Sequence, residues 1–304
     1  MKPLTSAEIS GTWATLLLPL ARDESIDWPR LEEEIDVLLR SGVSGIYSNG
    51  TAGEFHSQSE EEFDRLHALF AARCENARMA FQIGVCHPNA QASLSRLKRA
   101  AQLKPGALQV ILPDWYPVTN EEAVAFLERM AEASEPIGLV LYNPPHAKRV
   151  LAPADFGELA AVAALIGIKV MDGDESWYRA MRNHAAKLSV FVPGHHLATG
   201  YRLGAAGSYS NVACLHPAGA QKWHELMKTD SQAALELEGR INKFLELIPR
   251  DYPNAAKDKL LTAIGGWSEI GTRLRWPYRW IPESEAVRLR PVAEQLLPEL
   301  FQSG

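Results

Sequence analysis

With 304 residues, 46% of them hydrophobic and 22% charged, the chain can bury one large core, and the balance excludes long disorder and fibrous architectures. A net charge of −6 leaves no basic footprint for nucleic acid, and no apolar run reaches membrane length: WATLLLPLA is interrupted by Pro19 and followed by Arg22. Cys74, Cys86 and Cys214 lie too far apart for a metal-like pair or a disulfide framework, and MKPLTSAEISG has none of the marks of a secretory leader, so cytoplasm and small-molecule partners are expected.

The first predicted strand is TWATLLL (12–18), followed by a helix whose Leu31, Ile35, Leu38 and Leu39 share one face. A second strand, VSGIYS (43–48), runs into the loop NGTAGE, and the next helix opens at a capping box of Ser59 and Glu62 with Phe63, Leu66 and Phe70 along its stripe. Strands at 79–85 (MAFQIGV) and 107–112 (ALQVIL) follow. A second capping box, Thr119 with Glu122, starts the helix before the strand IGLVLY (137–142). Pro153 suits the first turn of a further helix. The last strands are IGIKV (166–170), SVFV (189–192) and AGSYS (206–210), with shorter helical spans after the first two.

Alternating strands and helices predict a parallel sheet, and eight repeats predict closure into an α/β (β/α)8 TIM barrel. An open doubly wound sheet is the runner-up, but no G-x-G-x-x-G or Walker loop follows any strand. Beyond residue 215 the pattern is helical throughout, and a barrel needs only one of those helices. The expected division is a barrel over 1–228 and a C-terminal helical extension over 229–304, packed on the barrel or on a neighbouring subunit.

Active sites of such barrels lie at the carboxyl ends of the strands. There the chain places SNGTAGE (48–54), YNPPH (142–146), Lys169 in LIGIKVMDG, PGHH (193–196) and SYSNV (208–212). A lysine in an apolar run costs stability unless it is paired, for example with Asp172 or Asp174, or reaches solvent. Alternation puts Gly167, Lys169 and Met171 on one face and Ile168 and Val170 on the other; with Ile168 toward the helices, Lys169 points into the barrel. Desolvation there favours the neutral amine, which can attack a carbonyl. Gly50 and Gly53 let backbone amides approach a carboxylate, with the Thr51 hydroxyl beside them. Glu54 reads as structural. Tyr142 can relay protons to a bound carbonyl. His146, His195 and His196 read as local hydrogen-bonding groups; adjacent histidines on an extended backbone point apart, and no zinc-protease spacing occurs. No metal and no cofactor is expected.

GTAGE resembles the G-S/T-T-G-E loop, YNPP the Y-N-x-P turn, and GIKVMDGD the lysine strand of the dihydrodipicolinate synthase and N-acetylneuraminate lyase family. GTWATLLLPL, GAAGSYSNV, AAKDKL and LRWPY fall in the same order and spacing. The resemblance implies a class I mechanism: Lys169 forms a Schiff base with pyruvate or another 2-oxo acid, Tyr142 relays protons, and Thr51 joins the relay. Thr51 also binds the carboxylate with the Ala52 backbone and Gly50. It further implies a homo-oligomer, dimer or tetramer. Gly194, His195 and Tyr209 are candidate substrate contacts at the ends of strands seven and eight, His195 and His196 reading the variable half.

The departures are specific. Ala52 stands where the family commonly has a second hydroxyl, Trp115 (beside Tyr116) where the synthase lends a tyrosine across a dimer, and Ala147 (before Lys148 and Arg149) near its aldehyde-binding arginine. Besides a lyase making or breaking a carbon–carbon bond of a 2-oxo acid, with or without an aldehyde partner, three readings stay open. One is an imine-dependent dehydratase or deaminase of a sugar acid or hydroxyproline-derived acid. The others are a non-catalytic 2-oxo acid sensor and a metal-dependent aldolase using His146 or His195 with Asp172.

Overall fold

A computed structural model describes residues 1–171 and 173–301. In chain order its elements are β1 (Gly11–Thr15), α1 (Trp28–Arg40), β2 (Gly45–Tyr47), α2 (Glu60–Ala77), β3 (Phe81–Gly84), α3 (Ala90–Ala101), β4 (Ala107–Ile111) and α4 (Asn120–Ser134). There follow β5 (Gly138–Tyr142), α5 (Asp155–Leu159), β6 (Leu165–Lys169), α6 (Glu175–Ala185), β7 (Ser189–Pro193), α7 (Leu197–Leu203) and β8 (Gly207–Tyr209). The remainder is helical: α8 (Asn211–Leu215), α9 (Pro217–Thr229), α10 (Ser231–Leu245), α11 (Asn254–Gly265), α12 (Glu283–Leu296) and α13 (Pro298–Phe301). The strands run in the order β1 to β8 around a closed barrel, the (β/α)8 architecture expected from the alternation. Asp172, a partner in the ion-pair and metal readings, lies outside the described residues. Among the described residues no helix is long and apolar enough to cross a membrane.

The chain forms two compact units. One comprises Met1–Ser10, Gln58–Pro193 and Gly200–Ser208 and holds β3 to β7. Its strands pair in parallel, with Gln82 opposite Ala107, Ala107 opposite Gly138, Tyr142 opposite Lys169, and Lys169 opposite Phe191. Both capping boxes form. Ser59 Oγ accepts from Glu62 N at 3.2 Å while Glu62 accepts from Ser59 N at 2.9 Å, and Thr119 and Glu122 repeat the exchange at the start of α4. Pro153 does not open α5. It sits in the turn before it, where the Asp155 carboxylate accepts from Ala152 N at 2.8 Å and so sets the helix start two residues later. Helix α6 runs for three turns, because Asp174 caps it by accepting from Trp177 N at 2.8 Å.

One helix of this unit hides a titratable group. His67 on α2 is fully buried, and its Nδ1 lies 2.7 Å from the Phe63 carbonyl, to which the neutral ring donates. Burial pushes its pKa down from 6.5 to about 3, against the Phe63 hydrogen bond, and the Arg96 and Arg99 charges add to the depression. The unfolded chain therefore takes up this proton near pH 6.5 and the folded one near pH 3. The stability it confers is complete above pH 6.5 and is lost as pH falls through that window. His67→Gln should flatten the pH dependence of urea unfolding by about 3 kcal/mol between pH 7 and 4. A variant whose stability falls with pH as steeply as the parent's would contradict this.

The other unit, Gly11–Ser57, Gly194–Thr199 and Tyr209 onward, holds β1, β2 and the helices from α8 to the end of the chain. Strand β1 is shorter than the sequence suggested. Pairing with β2 covers Trp13 to Thr15, and the chain then turns toward Pro19 after one last bond from Leu16 N to Tyr47 O. Helix α1 buries Leu31, Ile35 and Leu38 as its spacing requires, but Leu39 is only half-buried and the fourth fully buried position is Glu34.

Candidate active site

The reactive candidates lie at strand ends in both units. In the first, Tyr142 closes β5 and Lys169 closes β6 as register partners, and the Lys169 Nζ sits 4.2 Å from the centroid of the Tyr142 ring. Ile168 and Val170 are buried while Lys169 is half-buried. The turn that follows β5 is stiff. Asn143 N donates to the Lys169 carbonyl at 2.9 Å, and the Asn143 amide exchanges bonds of 3.0 and 2.9 Å with the Leu151 backbone, which holds Pro144 and Pro145 in place.

Cys86, at the end of β3, is buried with the Gln109 amide 3.6 Å from its sulfur. Burial pushes its thiol up to about 11, while the Gln109 hydrogen bond and the positive field of Lys169 pull the other way. The lysine's charge is thus felt at the end of β3, beyond the intervening β4 and β5. His146, Lys148 and Trp115 are exposed; Lys148 donates to the Trp115 carbonyl at 2.8 Å and lies over its ring, 4.7 Å from the centroid. Arg149 is turned instead to the Val118 carbonyl and the Asn120 side chain.

In the second unit, the loop after β2 packs Gly50 and Ala52 inside and leaves Thr51 half-exposed. A Cβ on Gly53 would come 2.9 Å from Asn49 N and 3.1 Å from the Leu16 carbonyl, so only glycine allows the loop to fold back this tightly. Glu54 does not face outward. It is buried, 2.5 Å from the equally buried Lys259 of α11, in agreement with its structural reading. Tyr209 at the end of β8 is buried edge-on against Tyr47, with ring centroids 4.6 Å apart.

Gly194 begins a short 3-10 turn, Gly194–His196, and a Cβ there would lie 2.3 Å from Ser210 Oγ. That turn corrects one expectation: His195 and His196 do not point apart, because the backbone coils instead of extending and brings their ring centroids to 4.1 Å. Asn211 holds the first of them. Its Oδ1 accepts from His195 N at 3.1 Å, and its amide group meets the ring Nδ1, with Nδ2 at 2.9 Å and Oδ1 at 3.1 Å. Among the described residues no group of three His, Cys, Asp or Glu side chains converges as metal ligands. Sequence reasoning missed Asn211, Glu34 and Lys259. Two carried a signal: Lys259 falls four and three residues after the buried Ala255 and Ala256 of α11, and Glu34 three after Leu31 and four before Leu38 on α1.

The fold is a parallel (β/α)8 barrel with a lysine and a tyrosine paired at the carboxyl ends of its sixth and fifth strands, the face on which barrels of this class carry their active sites. The chain belongs to the dihydrodipicolinate synthetase family, whose model matches residues 8–296. It is 25% identical over 302 residues to an N-acetylneuraminate lyase of Rhizobium meliloti (strain 1021), covering 95% of this chain and 96% of that protein. It is also 30% identical over 176 residues to a 4-hydroxy-tetrahydrodipicolinate synthase of Exiguobacterium sp., a match that spans 58% of this chain and only 59% of that enzyme. Among solved structures it resembles a prophage protein of Escherichia coli K12, of the dihydrodipicolinic acid synthase family and in complex with pyruvate. The TM-score is 0.84 at 21% identity, over 95% of this chain and 98% of the other.

Proposed function

We propose that this chain is a class I lyase that makes or breaks a carbon–carbon bond of a 2-oxo acid, pyruvate or a close analogue, through an imine on Lys169. The observation that carries the reading is the Lys169 amine set 4.2 Å from the Tyr142 ring on register-paired strand ends. The amine attacks the C2 ketone, and loss of water gives the imine. Once protonated, the imine withdraws electrons from C3. In the cleavage direction the C4 hydroxyl gives up its proton, the C3–C4 bond breaks, an aldehyde leaves, and the enamine is reprotonated at C3 before hydrolysis releases the 2-oxo acid. Tyr142 is the proposed proton relay. The motif assigns Thr51 to the same relay, and Gly50 with the Ala52 amide to the substrate carboxylate. The imine itself is the electron sink, so the proposed chemistry calls for no cofactor.

The second half of the substrate is proposed to differ from that of the synthase, because Ala147 replaces its arginine and the neighbouring Arg149 is occupied by Val118 and Asn120. His195, steadied by Asn211, is the proposed reader of that half, with Gly194 and Tyr209 beside it in the sequence-derived set. Trp115 and Tyr116 are 83% and 80% exposed in the single chain, which supports a subunit contact there and a homo-oligomer; a monomer in sedimentation at micromolar concentration would remove that assignment.

Incubation with pyruvate and sodium borohydride should leave a reduced adduct on the peptide containing Lys169, read by mass spectrometry. A panel of 2-oxo acids that gives no adduct would overturn the mechanism. An adduct without turnover on any retro-aldol or dehydration substrate would favour a sensor.

A further inference from the structure

Loop 48–54 is held in an expensive conformation. Asn49 and Glu54 have φ of 52° and 53°, the left-handed region that costs a side chain about 1 kcal/mol each, and Gly53 leaves no room for a Cβ. Local bonds include Glu54 N to Thr51 O at 3.1 Å and, onto the Glu54 carbonyl, Ser57 N at 2.9 Å and Ser57 Oγ at 3.0 Å. A further hold comes from residues more than two hundred positions away. Lys259 of α11, wholly buried, puts its Nζ 2.5 Å from Glu54 Oε1 and 2.5 Å from the Arg273 carbonyl. The Arg275 guanidinium donates to Ser57 O at 2.7 Å and to Glu24 O at 2.9 Å.

A second carboxylate shares the same cation. Glu34 on α1 is fully buried, takes the Leu17 N–H at 2.8 Å on Oε1, and has no hydrogen bond on Oε2; it feels the Lys259 charge. Burial raises its pKa well above the usual range; burial also raises Glu54 and lowers Lys259 against their mutual attraction, and Glu54, at 2.5 Å, is the partner in direct contact with the lysine. A buried pair of this kind adds little net stability, because desolvation of both ions offsets their attraction. Its distinctive contribution is directional. It ties the end of the loop to a fixed point on a helix.

We propose that the Glu54–Lys259 ion pair is a positioning device for loop 48–54. It fixes the Thr51 hydroxyl and the Ala52 amide in the geometry that receives the carboxylate of the 2-oxo acid. The proposal rests on the functional reading above for its ligand. Glu54 and Lys259 touch no substrate in this scheme and act through the loop alone.

The test compares the full-length parent with the double variant Glu54→Gln/Lys259→Met, the single Glu54→Gln, and Glu34→Gln, which perturbs the same lysine from a carboxylate bonded to Leu17. In the double variant both ions go together, but Lys259→Met also strips the Arg273 carbonyl of its donor, so the thermal midpoint should fall by a few degrees and trapping is read well below it. The pyruvate concentration for half-maximal borohydride trapping on Lys169 should nevertheless rise about tenfold, with the saturating rate unchanged. Glu54→Gln should shift half-saturation in the same direction, and Glu34→Gln should leave it unchanged.

Half-saturation within about twofold of the parent in the double variant would overturn the proposal, and so would an equal rise in Glu34→Gln. Hydrogen exchange of the Thr51–Glu54 amides in the same variants gives a readout without ligand, expected about tenfold faster in the double variant and in Glu54→Gln. If the parent forms no adduct, the functional reading falls. The exchange rates then decide the positioning role separately, and unchanged rates overturn it.

Discussion

Lys169→Ala should lower turnover by about ten thousandfold or more and abolish the borohydride adduct, while the protein folds as before. The fold is expected to survive because Lys169 is half-buried, its backbone bonds to Asn143 and the neighbouring strands are unaffected by truncation, and the residues on either side, Ile168 and Val170, keep their burial. Lys169→Arg makes the sharper comparison. It retains a cation over the Tyr142 ring but supplies no amine that deprotonates near neutrality, so it should be as inactive as the alanine variant.

Tyr142→Phe divides the chemistry further. The ring that faces the amine remains, the hydroxyl goes, and the imine should still form and be trapped while turnover falls by about a hundredfold to ten thousandfold. Pyruvate release from a panel of retro-aldol substrates, measured beside trapping, reads both steps. Full turnover in Tyr142→Phe would place the proton relay elsewhere, and undiminished turnover in Lys169→Ala would end the mechanism.

The largest expected loss of stability is at Arg96. This side chain on α3 is almost wholly buried, yet its guanidinium donates from Nε to Glu60 Oε1 at 2.9 Å, from Nη1 to the Cys86 carbonyl at 3.1 Å and from Nη2 to the Gln58 carbonyl at 3.4 Å. It also lies 5.0 Å from the centroid of the Phe63 ring. Arg96→Met fills part of the volume but strips the buried Cys86 and Gln58 carbonyls of their donor, so unfolding in urea should show a loss of about 3 kcal/mol. Arg96→Lys keeps the charge without the fork and should recover less than half of it. Glu60→Gln, at a half-exposed carboxylate, should cost under about 1 kcal/mol. An Arg96→Met variant within that smaller range would show that the carbonyls find water or rearrange.

Legibility in the sequence followed the range of the interaction. Elements stabilised by neighbours in the chain were readable. Both capping boxes formed at Ser59 and Thr119, because the reciprocal bonds span three residues, and short β-branched or apolar runs marked the strands to within a few positions. Boundaries set by a side chain reaching back, such as Asp155 accepting from Ala152, were displaced from the proline that seemed to mark them. The pairing of His195 with His196 was misjudged for the same reason, since a coiled turn held by Asn211 sixteen residues on replaces the extended backbone assumed for two adjacent histidines.

The sequence by itself determined the alternation of strands and helices, the family, and the candidacy of Lys169, Tyr142 and Thr51, because periodicity and short motifs are properties of neighbouring residues. Tertiary structure alone decided that Tyr142 and Lys169 are register partners, that Glu34 is buried in a helix face otherwise apolar, and that Glu54 meets Lys259 two hundred positions later. Charges in low dielectric act on whatever the fold brings within a few ångströms, and separation along the chain does not encode that distance.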